Sequence, residues 1–252
     1  MLTLALNKQF SWYLLTALSV AMSLTFGMST ARGELLFSDS FDYPPGRLDG
    51  DGPPADAPPG QTGWSVLAGN PKVTSKGLHL IEVLSEAGGA AGLRDTGSDT
   101  CTAVASLTPI NSGTVWIGFL IRVVHSGPRF GFAVLNVSDG IAGDPTPGYG
   151  VVFDTRQYGI DNDTGASALT GIPQSYMTSW LVVELNFNKG EQTLRVDPPS
   201  ADSPPQATLA MTPQLQANGF SQIWLNEGLN DGSFAIDEVR VGTTFADIRT
   251  GQ

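Results

Sequence analysis

The chain is poor in the residues on which most metal, redox and nucleophilic chemistry depends. Of its 252 residues one is cysteine, Cys101, and two are histidine, His79 and His125. A single cysteine excludes an intrachain disulfide, so the core alone must hold the fold, and Cys101 reads as a small buried hydrophobe. Two isolated histidines exclude the paired spacing of a zinc site. No Gly-x-Ser-x-Gly elbow nominates a serine nucleophile, and no glycine-rich phosphate loop follows a strand. Positive charge is scarce as well: 13 Lys and Arg stand against 24 Asp and Glu, a net charge of −11. Phosphate backbones demand clustered Lys and Arg, so nucleic acid is not the expected partner.

Long apolar runs are also missing, with one exception near the N-terminus. Trp12–Phe26 is uncharged and apolar, follows Lys8, and precedes the small residues Ser29, Thr30 and Ala31. The run is shorter than the ~20 residues that span a bilayer. Residues 1–31 therefore read as a signal peptide, an N-terminal signal helix, with a retained anchor as the alternative. Residues 32–252 then form one secreted domain, extracellular or periplasmic, with no membrane span after cleavage.

What remains is rich in punctuation. Thirty Gly and seventeen Pro separate short runs of β-branched and aromatic residues. No segment after residue 31 shows a helical period. Strands are expected at 34–38, 64–67, 78–83, 89–94, 101–107, 114–125, 129–137, 149–154, 180–188, 192–197, 220–226 and 234–241. About twelve closely spaced strands argue for an all-β, two-sheet antiparallel jelly-roll sandwich. The Pro- and Gly-rich stretches Pro44–Gly60 and Asp197–Pro205 read as surface loops.

Side chains alternate across a strand, so parity assigns faces. Val115, Ile117, Phe119, Ile121 and Val123 form one uniformly apolar face; so do Leu181, Val183, Leu185 and Phe187, and Ile223 with Leu225. These faces should be the core. The opposite faces carry Trp116 and Arg122; Trp180, Glu184 and Asn186; and Gln222, Trp224 and Asn226. Flat apolar rings interleaved with amides and charges suit a sugar-binding surface. The alternative is that loops cover the rings, which then form a minor core.

Leu35-Leu-Phe-Ser-Asp-Ser-Phe-Asp42, Trp64-Ser65, Gly77-Leu-His-Leu80 and Ile236-Asp-Glu-Val-Arg-Val241 resemble the first, early and last strands of concanavalin A-like, laminin-G-like jelly rolls. The same superfamily includes laminarinase-type glucanases. Phe41-Asp-Tyr-Pro-Pro-Gly46 with Val241-Gly-Thr-Thr-Phe-Ala-Asp-Ile248 looks most like modules of secreted bacterial proteins. The resemblance implies two antiparallel sheets with glycan recognition on the concave face or at a rim. It also implies that Trp116, Trp180 and Trp224 share one sheet. In such jelly rolls an acid of the first strand and an Asp of the last often share a structural calcium ion, which points to Asp39 or Asp42 with Asp237.

The laminarinase-type Glu-x-Asp-x-x-Glu strand is absent; Asp154 stands alone in Gly150–Thr155. Paired-carboxylate glycosidase chemistry is therefore not expected at that strand. Asp161–Gly165 and Asp49–Gly52 have the look of calcium loops but lack the ligand set and read as turns. Asn136-Val-Ser138 matches a glycosylation pattern that has no meaning in a bacterial protein. The leading expectation is a secreted, non-catalytic carbohydrate- or ligand-binding module with a polysaccharide or glycan partner. The alternatives are a structural or adhesive extracellular protein and a divergent glycoside hydrolase.

Overall fold

A computed structural model describes residues 33–50, 52–80, 89–94, 101–125, 135–141, 147–152, 156–162, 165–227 and 233–249. The expected signal peptide, Asp154 and parts of three expected strands (81–83, 129–134 and 153–154) lie outside the described residues. Strands are numbered in chain order. One sheet contains β14 (Ala207–Ala210), β13 (Glu191–Val196), β12 (Ser179–Asn186), β7 (Thr114–His125), β16 (Ser233–Gly242), β5 (Ala91–Arg94), β4 (Lys72–Val73) and β2 (Gly46–Arg47), in that order. A ninth strand, β1 (Leu35–Asp39), also pairs with β16. The second sheet runs β11 (Ser167–Pro173), β10 (Gln157–Asp161), β9 (Gly148–Val152), β8 (Leu135–Ser138), β15 (Phe220–Glu227), β6 (Cys101–Ile110) and β3 (Ser65–Ala68). The pairings between described strands are antiparallel. This is the two-sheet sandwich that the strand pattern predicts.

The parity argument for the core holds strand by strand. Val115, Ile117, Phe119, Ile121 and Val123 of β7 lie in one apolar cluster between the sheets, with Leu181, Val183 and Leu185 of β12 and Ile223 and Leu225 of β15. Alternation puts these residues on one side of each strand, and burying them supplies most of the driving force, about 1.5–3 kcal/mol for each large side chain.

The last strand occupies the centre. The first half of β16 pairs with β5, from Ser233↔Arg94 to Ile236↔Ala91. Its second half pairs with β1, from Asp39↔Val239 to Leu35↔Gly242. Along its other edge β7 runs the full length. The change of partner falls at a bulge: Leu120 faces Asp237 while Gly118 faces Arg240, so β16 carries one extra residue. Glu238 sits there with φ 50°, a left-handed conformation that glycine adopts more readily.

The structure adds elements that the pattern does not disclose. β2, β4 and β14 are two to four residues long. β10 and β11 form a hairpin, and β11 is an edge strand ending at Pro173, which cannot donate to a ladder. One short helix, α1 (Pro213–Asn218), starts where the Thr212 side chain accepts the Leu215 amide. It ends at Gly219, whose φ of 72° and contact with the Ile110 carbonyl leave no room for a Cβ. The expected strand at 78–83 is not formed over its described part: Leu78 packs instead on the outer side of the nine-stranded sheet.

Candidate functional site

The two sheets treat their outer faces differently, and this divides the expected tryptophan surface. Trp116 and Trp180 do share the outer face of the nine-stranded sheet, because β7 and β12 are neighbours and Glu184 pairs with Trp116. The chain's own C-terminal turn covers them. Phe245 packs edge-on to Trp116 at 5.4 Å and tilted to Trp180 at 5.4 Å. Gly118 opens the space between, since a Cβ there would lie 3.1 Å from both Ile248 and the Trp180 indole nitrogen. Trp180 is 0% exposed and Trp116 9%. With Leu78, Leu120, Val182 and Ala235 they form a second apolar cluster. A fully covered ring cannot stack a sugar, so the minor-core alternative holds for these two.

Their polar neighbours are committed in the same way. Glu184 pairs with Arg195 at 3.0 Å, and the Arg195 guanidinium lies 5.2 Å from the Trp116 ring centre. Arg195 also donates to the Ser203 carbonyl and to Thr193 Oγ1. Asn186 accepts the Lys189 amide and fixes the β12–β13 turn. Arg122 is exposed, six residues along β7 from Trp116, which is about 20 Å in an extended strand. Five of the seven expected ligand residues, Trp116, Trp180, Arg122, Glu184 and Asn186, therefore form no common open surface.

Trp224 lies elsewhere. β15 belongs to the seven-stranded sheet, so its outward residues Gln222, Trp224 and Asn226 face away from the covered tryptophans. Trp224 is half-buried and belongs to neither apolar cluster. Its indole N–H donates to Gln222 Oε1 at 3.0 Å, and Asn226 Oδ1 accepts the Thr102 hydroxyl at 3.0 Å. Register then draws one transverse row across all seven strands: Ser65, Val104, Trp224, Asn136, Gly148, Asp161 and Ser167. Paired residues of a sheet share a face, so these seven lie on one side of the sheet, with Ser65 and Ser167 exposed at its edges and Gly148 buried. Asn136 is the member that the sequence reading left without a role. Its Oδ1 is buried and has no hydrogen-bond partner among the described residues. The described strand residues of the row contain one carboxylate, Asp161.

The acids of the first and last strands come close without converging. Asp39 lies on the core side of β1 with Phe37, whereas Asp237 lies on the outer side of β16 with Ala235 and Leu78. The Asp39 carboxylate accepts three donors: the Phe41 amide at 2.7 Å, the Tyr43 hydroxyl at 2.7 Å and the Trp64 indole at 2.7 Å. Phe41 adopts φ 52° and stacks on Trp64 at 5.8 Å, while Phe37 meets the same indole edge-on at 6.0 Å. The opening motif Asp-Ser-Phe-Asp-Tyr is thus a tight turn wound about one buried carboxylate. Asp237 accepts the Leu78 amide at 2.7 Å and the Glu238 amide at 2.8 Å. Burial pushes Asp237 up to about 8, against those two hydrogen bonds. Burial also raises Asp39 and Glu238; for Glu238 the facing Arg240, at 3.4 Å, opposes the shift.

These residues do not fit the expected calcium ion. Asp39 is filled by protein donors, Asp237 points to the other side of the sheet, and Asp42 is exposed. Among the described residues no three His, Cys, Asp or Glu side chains are grouped to hold a metal. Calcium takes six to eight oxygens, which one carboxylate of this set does not approach.

No protein-family model matches the chain, and no curated protein matches it. Among solved structures it is similar to a cellulose induced protein, with TM-score 0.50 and 12% identity over 82% of this chain and 97% of that one. It is also similar to a sialidase, with TM-score 0.48 and 10% identity over 73% of this chain. A Trypanosoma rangeli sialidase in complex with 2,3-difluorosialic acid gives TM-score 0.46 and 12% identity over 84% of this chain. The chain spans 17% and 36% of the two sialidases' lengths. At 12% identity the likeness to the cellulose induced protein is one of fold.

Two predictions separate the carboxylates. Asp39→Ala removes the acceptor shared by three donors, the Phe41 amide and Trp64 indole buried among them, and is expected to cost about 3 kcal/mol or more, whereas exposed Asp42→Ala stays within about 0.5 kcal/mol in urea unfolding. An equal effect of the two would refute the assignment of Asp39 as the anchor. The second concerns pH. Asp237 has an ordinary value of 3.8 and a folded value of about 8, so across that window the folded state holds more protons than the unfolded state. Stability is therefore expected to be fullest below the window and to fall as pH rises through it. Melting midpoints measured from acid to mildly alkaline pH would show the decline, and Asp237→Asn should flatten it. At each pH, excess calcium and excess chelator are expected to agree within about 1 °C, since an ion bound to the native state would raise the midpoint by mass action.

Proposed function

We propose that the domain is a secreted, non-catalytic carbohydrate-binding module of the concanavalin A-like class. It receives its ligand on the outer face of the seven-stranded sheet. A sugar ring stacks on Trp224, and Gln222, Asn226 and Asn136 supply the directional hydrogen bonds. The observation that carries this reading is a half-buried indole, held by its own N–H···Gln222 bond, between amides on a sheet face. A ring fixed in this way presents apolar area at low entropic cost. Export rests on the N-terminal apolar segment, and no helix among the described residues is long and apolar enough to cross a membrane.

A second reading, an adhesive protein whose contacts are with other proteins, draws on a different feature. Tyr176 is 62% exposed and Met177 75%, and Val124 is exposed nearby on the strand whose Val123 amide bonds Ser175. Apolar side chains left in water at a loop are common on interaction surfaces.

One pair of variants tests the first reading. Trp224→Ala is expected to lower retention on an insoluble polysaccharide about tenfold, roughly 1.4 kcal/mol, with little change in melting midpoint. Trp180→Ala, which empties the covered cluster, is expected to lose about 3–5 kcal/mol of stability. Retention that is unchanged in Trp224→Ala, with the fold intact by circular dichroism, would remove the glycan face and favour the adhesive reading.

A further inference from the structure

We infer that a glycan stacked on Trp224 runs across β6 to the β3 edge of the seven-stranded sheet and meets Leu67 there as a second apolar contact. The inference rests on the carbohydrate-binding reading above and gives that site a direction and a length. Three features of the face carry it.

The first is where the face is open. On the β8 side of Trp224 it is covered: Ser138 is 6% exposed, Gly148, Gly150 and Gly159 are buried, and Asn136 Oδ1 is buried. On the β6 side it opens strand by strand. Val104 and Ser106 of β6 are half-buried, and Ser65 and Leu67 of β3 are exposed. Pairing sets Trp224, Val104 and Ser65 in one row and Gln222 beside Ser106 in the next. Among the described strands, a ligand resting on the indole therefore has accessible surface towards β3 and not towards β9.

The second is the bulge in β3. Val66 pairs with Ala103 and Ala68 with Thr102, so Leu67 is an extra residue with no partner across the ladder. Val66 packs against the core, and alternation turns Leu67 to the outer face, where it is 55% exposed. A lone exposed leucine is ordinary on a protein surface. This one stands two strands from Trp224, about 10 Å, with the apolar Val104 between them. Together the three side chains make a shallow apolar track. Its length exceeds a single sugar ring and suits an oligosaccharide.

The third is which hydroxyls remain available along the track. Thr102 donates to Asn226, Thr62 donates to the Gly63 carbonyl and accepts the Ser106 amide, and Thr108 donates to the Pro59 carbonyl. The Ser65 and Ser106 hydroxyls make no hydrogen bond among the described residues. They flank Val104, Ser65 across the ladder and Ser106 two residues along β6. A serine hydroxyl both donates and accepts, as the hydroxyls at the rim of a sugar ring do. A ring laid flat on Val104 therefore meets apolar surface with its face and uncommitted hydroxyls at its edge.

The test uses the chain from residue 32 onward, which contains the compact unit Gly33–Gln252. Retention on insoluble cellulose, β-1,3-glucan and xylan is compared for the unchanged chain, Leu67→Ser, Leu169→Ser and Trp224→Ala. Leu169 is the control: it lies on the same face at the opposite edge, beyond the covered strands, and is 39% exposed. Leu67→Ser is expected to lower retention about fivefold and Trp224→Ala about tenfold, with Leu169→Ser within about 1.5-fold of the unchanged chain. Both leucines are exposed, so melting midpoints should not move. Soluble oligosaccharides of the retaining polymer should compete better as they lengthen from a single ring to several, and Leu67→Ser should reduce that gain. Unchanged retention in Leu67→Ser, or an equal loss in Leu169→Ser, would overturn the direction assigned here while leaving Trp224 as a glycan contact. Competition that does not rise with length would overturn the extended track in the same way. Retention on none of the polysaccharides, or no loss in Trp224→Ala, would overturn both this inference and the function on which it rests.

Discussion

One buried carboxylate, Asp39, fastens the first strand of this domain to the opposite sheet. Asp39 sits among Phe37, Phe41 and Trp64, where an ionised carboxylate is costly, and it is tolerable because three donors converge on it. Those donors come from a turn amide, a tyrosine and the tryptophan before β3, so the carboxylate ties the first strand to the opposite sheet. Phe41 accepts a left-handed backbone to complete the turn, and the stacking of its ring on Trp64 offsets part of that strain. Across the sheet, Asp237 performs a similar task with two amides, fastening the segment that carries Leu78 over the outer face. Neither acid behaves as a metal ligand here; both serve as acceptors for backbone and ring donors.

The difference between the two outer faces follows from small features. On the nine-stranded sheet, Gly118 lets Ile248 and Phe245 descend onto Trp116 and Trp180, and Arg195 bridges Glu184 to the indole. The aromatic and charged residues are consumed in sealing the sheet against the chain's own C-terminal turn. On the seven-stranded sheet, the Trp224 row carries short polar side chains and a glycine strip, and Trp224 remains half-buried. Two faces with similar residue types are thus covered to different extents around their tryptophans. What separates them is whether a covering segment finds a gap to fill.

Strand parity made the core legible because period two is strict: every apolar face read on β7 and β12 points inward, Phe187 included. Parity is silent on which sheet a strand joins. The resemblance, not parity, puts Trp224 in one sheet with Trp116 and Trp180, whereas β15 lies in the other layer. β10, β11 and β14 escaped notice because they are short, interrupted by Gly or Pro, or built on alanine, and pairing with neighbours makes them strands where propensity does not. The last strand was readable from Ile236–Val241, but its bulge at Glu238 was not, and one extra residue is enough to turn Asp237 away from Asp39. Asn136 carried no signal beyond a sequon; its place beside Trp224 exists only through the β8–β15 register.

The central position of β16 has a consequence for the order of events during folding. β1 and β5 take their places on a strand that lies far from them along the chain, and Asp39↔Val239 joins residues 200 apart. Closing so long a loop must precede the contacts that reward it, so the entropic barrier falls early and the fold is slow to nucleate. Before β16 arrives, the nine-stranded sheet lacks the strand that joins β7 to β1 and β5. Completion of the nine-stranded sheet therefore waits for the strand that comes last in chain order.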